Sequence, residues 1–105
     1  EAADTAVVQM DNRLRFLPDT LRIATGTAVR WDNTSDIVHT VTADPARAAL
    51  ESSVSLPAGA RTFDSGDLLP GDAFIRVFDV PGTYRYFCVP HERAGMTGVL
   101  IVEGG

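Results

Sequence analysis

Hydrophobic and polar positions alternate in short runs along almost the whole chain, and Gly, Pro, Asp and Asn separate the runs. In 27–33, Val29 and Trp31 alternate with Arg30 and Asp32, and in 20–23 Leu21 and Ile23 flank Arg22. A period of two is the mark of a strand with one buried face. The pattern predicts strands near 5–10, 13–16, 20–23, 27–33, 38–42, 60–63, 73–79, 82–88 and 96–103. Pro70-Gly71 and Pro81-Gly82 read as turns, because Pro presets one backbone angle and Gly accepts the positive one that follows. One stretch differs. Asp44-Pro45-Ala46-Arg47-Ala48-Ala49-Leu50-Glu51 has a capping Asp, a first-turn Pro and alanines that favour propagation, so a short helix is predicted over 44–51. Strands that each bury one face call for a second sheet across the core, and the predicted class is an all-β sandwich.

Composition narrows the rest. The chain of 105 residues is 45% apolar and shows neither a repeat nor a Gly/Ser-rich linker, so residues 1–105 are expected to form one domain around one core. Fourteen acidic residues against nine basic ones, all arginine, give a net charge of −5, which opposes binding to a phosphate backbone or an anionic membrane. Nucleic acid is excluded as an expected partner. No run of about eighteen apolar residues is present, so no spanning helix is predicted. The opening Glu1-Ala2-Ala3-Asp4-Thr5 fits a mature start left after removal of an export signal or tether, and a periplasmic or otherwise extracytoplasmic location is expected. A lone Cys88 forbids an internal disulfide, and no Gly-rich nucleotide fingerprint appears.

The candidate chemistry lies near the C-terminus, where Cys88-Val89-Pro90-His91-Glu92-Arg93-Ala94-Gly95-Met96 places Cys, His and Met as C-x2-H-x4-M. Strand alternation puts Cys88 on the face of Tyr84 and Tyr86, pointing inward at the strand's end, and Pro90 stops the ladder there. The loop after it can curl back over the sulfur before Gly98–Val102 resumes as a strand. His39, the other histidine, opens a segment that can supply a fourth corner. Two imidazoles, a thiolate and a weak axial thioether form the donor set expected for copper that shuttles electrons, because both oxidation states are held without large movement.

Each of these residues alone has a blander explanation. A single buried Cys is usually a packing residue, Met fills irregular gaps, and either histidine suits a strand end or loop. The conjunction outweighs them: the only Cys, both His and one of the two Met fall into one ligand set.

Read at full length, the sequence resembles the plastocyanin branch of the cupredoxins. The resemblance runs from Phe16-Leu17-Pro18 through Leu21–Asn33, His39, Phe63-Asp64-Ser65-Gly66, Pro70-Gly71 and Pro81-Gly82-Thr83-Tyr84 to Cys88-Val89-Pro90-His91 and Gly95-Met96. It implies a cupredoxin-like Greek-key β-sandwich of about eight strands, with one type 1 copper at one end bound by His39, Cys88, His91 and Met96. It also implies outer-sphere transfer of one electron through the exposed edge of His91, inside an apolar patch bordered by Pro90, Ala94 and Gly95. Redox proteins, such as a cytochrome or a membrane electron-transfer complex, are the implied donor and acceptor, and the chain is expected to act as a monomer. The resemblance further assigns the N–H of Thr40 as a hydrogen-bond donor to the Cys88 sulfur, a role Pro90 lacks the proton to share. Two departures stand out: Thr40 where many relatives have Asn, and Phe87 where plant plastocyanins have a surface Tyr.

An enzyme of the copper oxidase or nitrite reductase kind is the alternative, and it needs additional histidines. Phe87 and Val89 flank Cys88 and no His is left over, so no catalytic centre is expected. Copper storage or delivery would require ligands that exchange, whereas one Cys at a buried strand end suggests a closed site. Zinc suits His and Cys as well but moves no electron.

Overall fold

The alternation of the sequence becomes the pleat of two packed sheets. The computed structural model describes residues 5–104, in which nine strands form: β1 (Thr5–Met10), β2 (Phe16–Leu17), β3 (Thr20–Ala24), β4 (Thr27–Asn33), β5 (Thr42–Ala43), β6 (Phe63–Asp64), β7 (Ala73–Phe78), β8 (Gly82–Phe87) and β9 (Thr97–Glu103). The opening Glu1–Asp4, read above as a trimmed start, lies outside the described residues. One sheet runs β2-β1-β4-β7 and the other β3-β9-β8-β5-β6. β1 pairs with β4, and β3 with β9, in parallel; the remaining neighbours are antiparallel. Parallel neighbours cannot be joined by a tight hairpin, so the chain crosses between sheets, as a Greek-key sandwich requires.

The core is aromatic. Val8 and Trp31 lie opposite each other in β1 and β4, both fully buried, and Phe74 of β7 continues the row. From the other sheet, Tyr86 meets Trp31 edge-on at 5.4 Å between ring centroids and Phe16 at 4.7 Å. Edge-to-face contact sets the positive ring edge against the negative face and fixes the spacing of the sheets. Burial pushes the Tyr86 hydroxyl up to about 12. Tyr86 lies opposite Gly98 of β9, and a Cβ at Gly98 would stand 2.3 Å from its Cζ. Glycine is needed there because the ring occupies the space of a side chain.

The predicted strands hold, but three are shorter than the sequence suggested. Of 13–16 only Phe16 enters β2, because the Asp11 carboxylate accepts the N–H groups of Arg13 and Arg15, each at 3.0 Å, and closes a turn in which Leu14 has φ 62°. The 38–42 segment joins the ladder only at Thr42, with His39 in an isolated bridge to Leu68, and 60–63 contributes only Phe63.

The predicted helix over 44–51 is corrected to two 3₁₀ turns, Pro45–Arg47 and Glu51–Ser53. Asp44 caps as expected, accepting from the Ala46 N–H at 3.0 Å. Propagation then fails because Ala48 is extended and the N–H groups of Ala49 and Leu50 are donated to the carboxylate of Glu92. Donors used in tertiary contacts cannot close helical turns.

Gly98→Ala is expected to destabilise the fold by about 1–3 kcal/mol, the usual cost of forcing extra volume into a packed core. Urea unfolding checks it; unchanged stability would mean that the Tyr86 ring is not fixed over Gly98.

Candidate metal centre

His39 reaches its place through the loop that follows β4. Asn33 fastens this loop, since its Nδ2 donates to the carbonyls of Ile37 and Leu68, both at 2.8 Å, while its Oδ1 accepts the Ser35 N–H at 3.0 Å. His39 and Leu68 then exchange backbone hydrogen bonds of 3.1 and 2.8 Å. The histidine is locked by its backbone before its ring is considered.

Cys88 follows β8 directly and is still extended, and Val89–Ala94 turns away as a 3₁₀ segment that ends on Gly95 at φ 85°. The left-handed conformation suits glycine and turns the chain back. The Cys88 N–H donates to the Met96 carbonyl at 3.1 Å, His91 N–H to the Cys88 carbonyl at 3.1 Å, and Met96 N–H to the His91 carbonyl at 3.3 Å. Three of the four residues singled out from the sequence are thus tied to one another through the main chain.

The structure brings the side chains of His39, Cys88 and His91 together, with their donor atoms within 4.8 Å of one another. His39 and Cys88 are fully buried, Met96 is buried beside them, and His91 is half-buried. Nδ1 of His39 lies 3.6 Å from Sγ of Cys88, and the two imidazole rings meet edge to face at 5.2 Å. Nε2 of His39 is 3.1 Å from the Asp11 carbonyl, and Nε2 of His91 is 3.2 Å from the Val38 carbonyl. A carbonyl only accepts, so both Nε2 atoms carry a proton, and in the neutral ring it is Nδ1 that keeps the lone pair. That is the tautomer in which each Nδ1 can ligate.

Burial lowers His39 against the Asp11 carbonyl, which acts the other way, and so favours its neutral ring. Burial pushes the Cys88 thiol up, and the N–H groups of Thr40 and His91 offset this only in part. The Thr40 N–H donates to Sγ at 3.3 Å, as the resemblance implied. A soft, buried thiol with two unprotonated imidazole nitrogens close by, and a thioether residue enclosed alongside, is a donor set that fits copper. Metal binding would release the thiol proton, so affinity should rise with pH.

Two contributors carried no signal in the sequence. The Asp11 carbonyl that orients His39 belongs to a residue 28 positions earlier, and a backbone group leaves no compositional trace. Glu92 reads as a solvated loop charge but is only 6% exposed. Its carboxylate accepts the N–H groups of Ala49 at 3.0 Å and Leu50 at 2.9 Å, strapping the ligand loop to the segment after the first 3₁₀ turn. Burial alone would raise Glu92, but these N–H groups, the Ser53 side chain and the charge of Arg93 outweigh it and hold the carboxyl below the usual glutamate value.

The family model of copper binding proteins of the plastocyanin/azurin family matches residues 3–103. The chain belongs to this family. Among the cupredoxin's relatives, a chloroplastic plastocyanin of Physcomitrium patens is 37% identical over 109 residues, covering 97% of this chain and 60% of that protein. The chain therefore spans less than two thirds of that relative's length. A plastocyanin of Scenedesmus fuscus is 36% identical over 92 residues, covering 86% of this chain and 88% of that one. The fold is shared with a pseudoazurin from Methylobacterium extorquens at a TM-score of 0.74 and 23% identity, covering 94% of this cupredoxin and 75% of the other chain.

The strap has a pH signature. A carboxyl held low in the folded state contributes stability above its unfolded value and loses it as pH falls through the folded value. Metal-free Glu92→Gln should thus be less stable than the parent at pH 7, with the gap closing below about pH 4.3, the ordinary glutamate value. Denaturant midpoints across pH 3–7 measure this, and a gap that stays constant would show that the carboxylate charge is not what holds the loop.

Proposed function

We propose that this chain is a one-electron carrier whose single type 1 copper is held by His39, Cys88, His91 and Met96. The observation that carries the reading is the buried contact between Nδ1 of His39 and Sγ of Cys88 at 3.6 Å, with the donor atom of His91 within 4.8 Å of both. Membership of a copper-binding family supports it. Bound copper would supply a Cu(II)/Cu(I) couple. The chain's own residues do the rest: the Asp11 and Val38 carbonyls hold the imidazoles in the ligating tautomer, the Thr40 N–H takes up charge on the sulfur, and complete burial of Cys88 and His39 keeps water away. Little need move on a change of oxidation state when His39, His91 and Cys88 are each already fixed by a second contact.

His91 is the exit for the electron in this reading. It is the half-buried member of the set, and Pro90, Ala94 and Gly95 beside it are exposed and uncharged. A redox protein docking there as donor or acceptor would meet an apolar surface with the ring behind it. The chain is not an enzyme in this reading, because both histidines are committed and Phe87 and Val89 flank Cys88. We further propose that residues 1–105 act as one monomeric domain outside the cytoplasm, a placement that the chloroplastic relatives support. No helix among the described residues is long and apolar enough to cross a membrane.

Stoichiometric Cu(II) should turn the protein intensely blue, and ascorbate should bleach the colour reversibly; colourless protein would sink the reading. Cys88→Ser should abolish the colour while circular dichroism shows the fold intact, since the hydroxyl is a poor copper ligand and the core loses little volume. Met96→Leu should keep the colour and raise the reduction potential, and an unchanged potential in voltammetry would mean that Met96 is not axial.

A further inference from the structure

A row of polar side chains leads from the sulfur-bearing segment to the surface. The Val89 N–H donates to Oγ1 of Thr40 at 2.8 Å, Oγ1 of Thr40 is 2.9 Å from Oγ1 of Thr42, and Oγ1 of Thr42 is 3.0 Å from Oδ1 of Asp64. Asp64 Oδ2 is held in turn by the guanidinium of Arg47. Thr40 is 2% exposed and Thr42 fully buried, so neither hydroxyl can turn to water instead. The row passes through β5, where Thr42 lies opposite Asp64 of β6 on one side and Phe87 of β8 on the other.

The protons in this row have one arrangement. An ionised carboxylate only accepts, so Thr42 donates its single proton to Asp64. Thr42 then has none left for Thr40, and Thr40 must donate to Thr42. With its own proton committed, Thr40 presents lone pairs to the Val89 N–H. Every bond points toward Asp64, and bonds aligned in one direction polarise and strengthen one another. The far end of the row is the residue next to Cys88, and the near backbone of Thr40 is the N–H that reaches Sγ at 3.3 Å.

We propose that Asp64 is a positioning residue for the Cys88 sulfur. Anchored by Arg47, it fixes the hydroxyls of Thr42 and Thr40, which clamp Val89 against Thr40 and thereby set the N–H···S contact that the copper ligand feels. For its effect on copper, this inference rests on the carrier reading above; the clamp itself exists without metal.

The test has two readouts on the full chain. In the metal-free protein, amide hydrogen exchange of Val89 and Thr40 is followed by NMR. Asp64→Ala and Thr42→Val should each speed exchange at Val89 by about tenfold, the scale of losing one buried hydrogen bond. Asp64→Asn, which keeps an acceptor oxygen, and Thr42→Ser, which keeps the hydroxyl, should stay close to the parent. In the copper-loaded protein the same pair of disruptive variants should shift the sulfur-to-copper charge-transfer band and the reduction potential, and the two conservative variants should restore both. Unchanged Val89 exchange in Asp64→Ala and Thr42→Val would overturn the proposal, as would faster exchange across the whole sheet with no preference for 40 and 89. Failure of the parent protein to turn blue would sink the carrier reading instead, leaving the exchange result to decide the clamp.

Discussion

Two stretches of chain far apart in sequence, 39–42 and 87–89, lie close enough for a backbone N–H of the first to reach the sulfur of the second. The centre depends on that approach. A thiol with no partner in a dry site is an indifferent feature, but one that receives an N–H and lies beside an imidazole nitrogen offers two donors to one metal ion. The sandwich brings the stretches together by placing β5 beside β8, and the Thr42 to Phe87 pairing is the single ladder position that joins them. Side-chain bonds around Thr40 supply what so short a ladder lacks.

The cost of this arrangement is polar burial. His39, Thr40, Thr42, Asn33, Ser35 and Glu92 are all buried in a small domain. Each such group would cost about 1–3 kcal/mol if left unpaired, so the centre is stable only because each is bonded. The pairing is shared: Asn33 serves Ile37, Leu68 and Ser35, and Glu92 serves Ala49 and Leu50. Such sharing couples the loops around the ligands, so that ordering one of them orders the next.

Period-two patterning made the sandwich legible, because Val29, Trp31, Tyr84 and Tyr86 all had to face one way. The ligand set was legible because thiol, imidazole and thioether residues are scarce here, and scarcity concentrates meaning. Apart from the Thr40 N–H to Sγ, which the resemblance implied, what the backbone carries could not be read. The carbonyls of Asp11 and Val38 that set the histidine tautomers have no residue-type signature. Glu92 escaped notice for a related reason: a carboxylate in a loop is ordinarily solvated, and only the fold shows that two amides from the 45–53 region turn toward it. Those same amides explain the misread helix. Local propensity favoured 44–51 as helical, and a tertiary acceptor took the donors that helix would have used.

The shortening of the strand predicted over 38–42 carries the same logic into the centre itself. In an unbroken ladder the N–H of Thr40 would be spent on a neighbouring strand and its side chain would point to one face only. Here His39 leaves the ladder for a bridge with Leu68, and pairing resumes only at Thr42. The interval frees one N–H for Sγ and one hydroxyl for Val89. A departure from regular structure at this position is therefore not a defect in the strand; it is the means by which a backbone group becomes available to a sulfur. Residues where local pattern and observed structure disagree tend to be those where function sets the terms, and 38–42 is such a place.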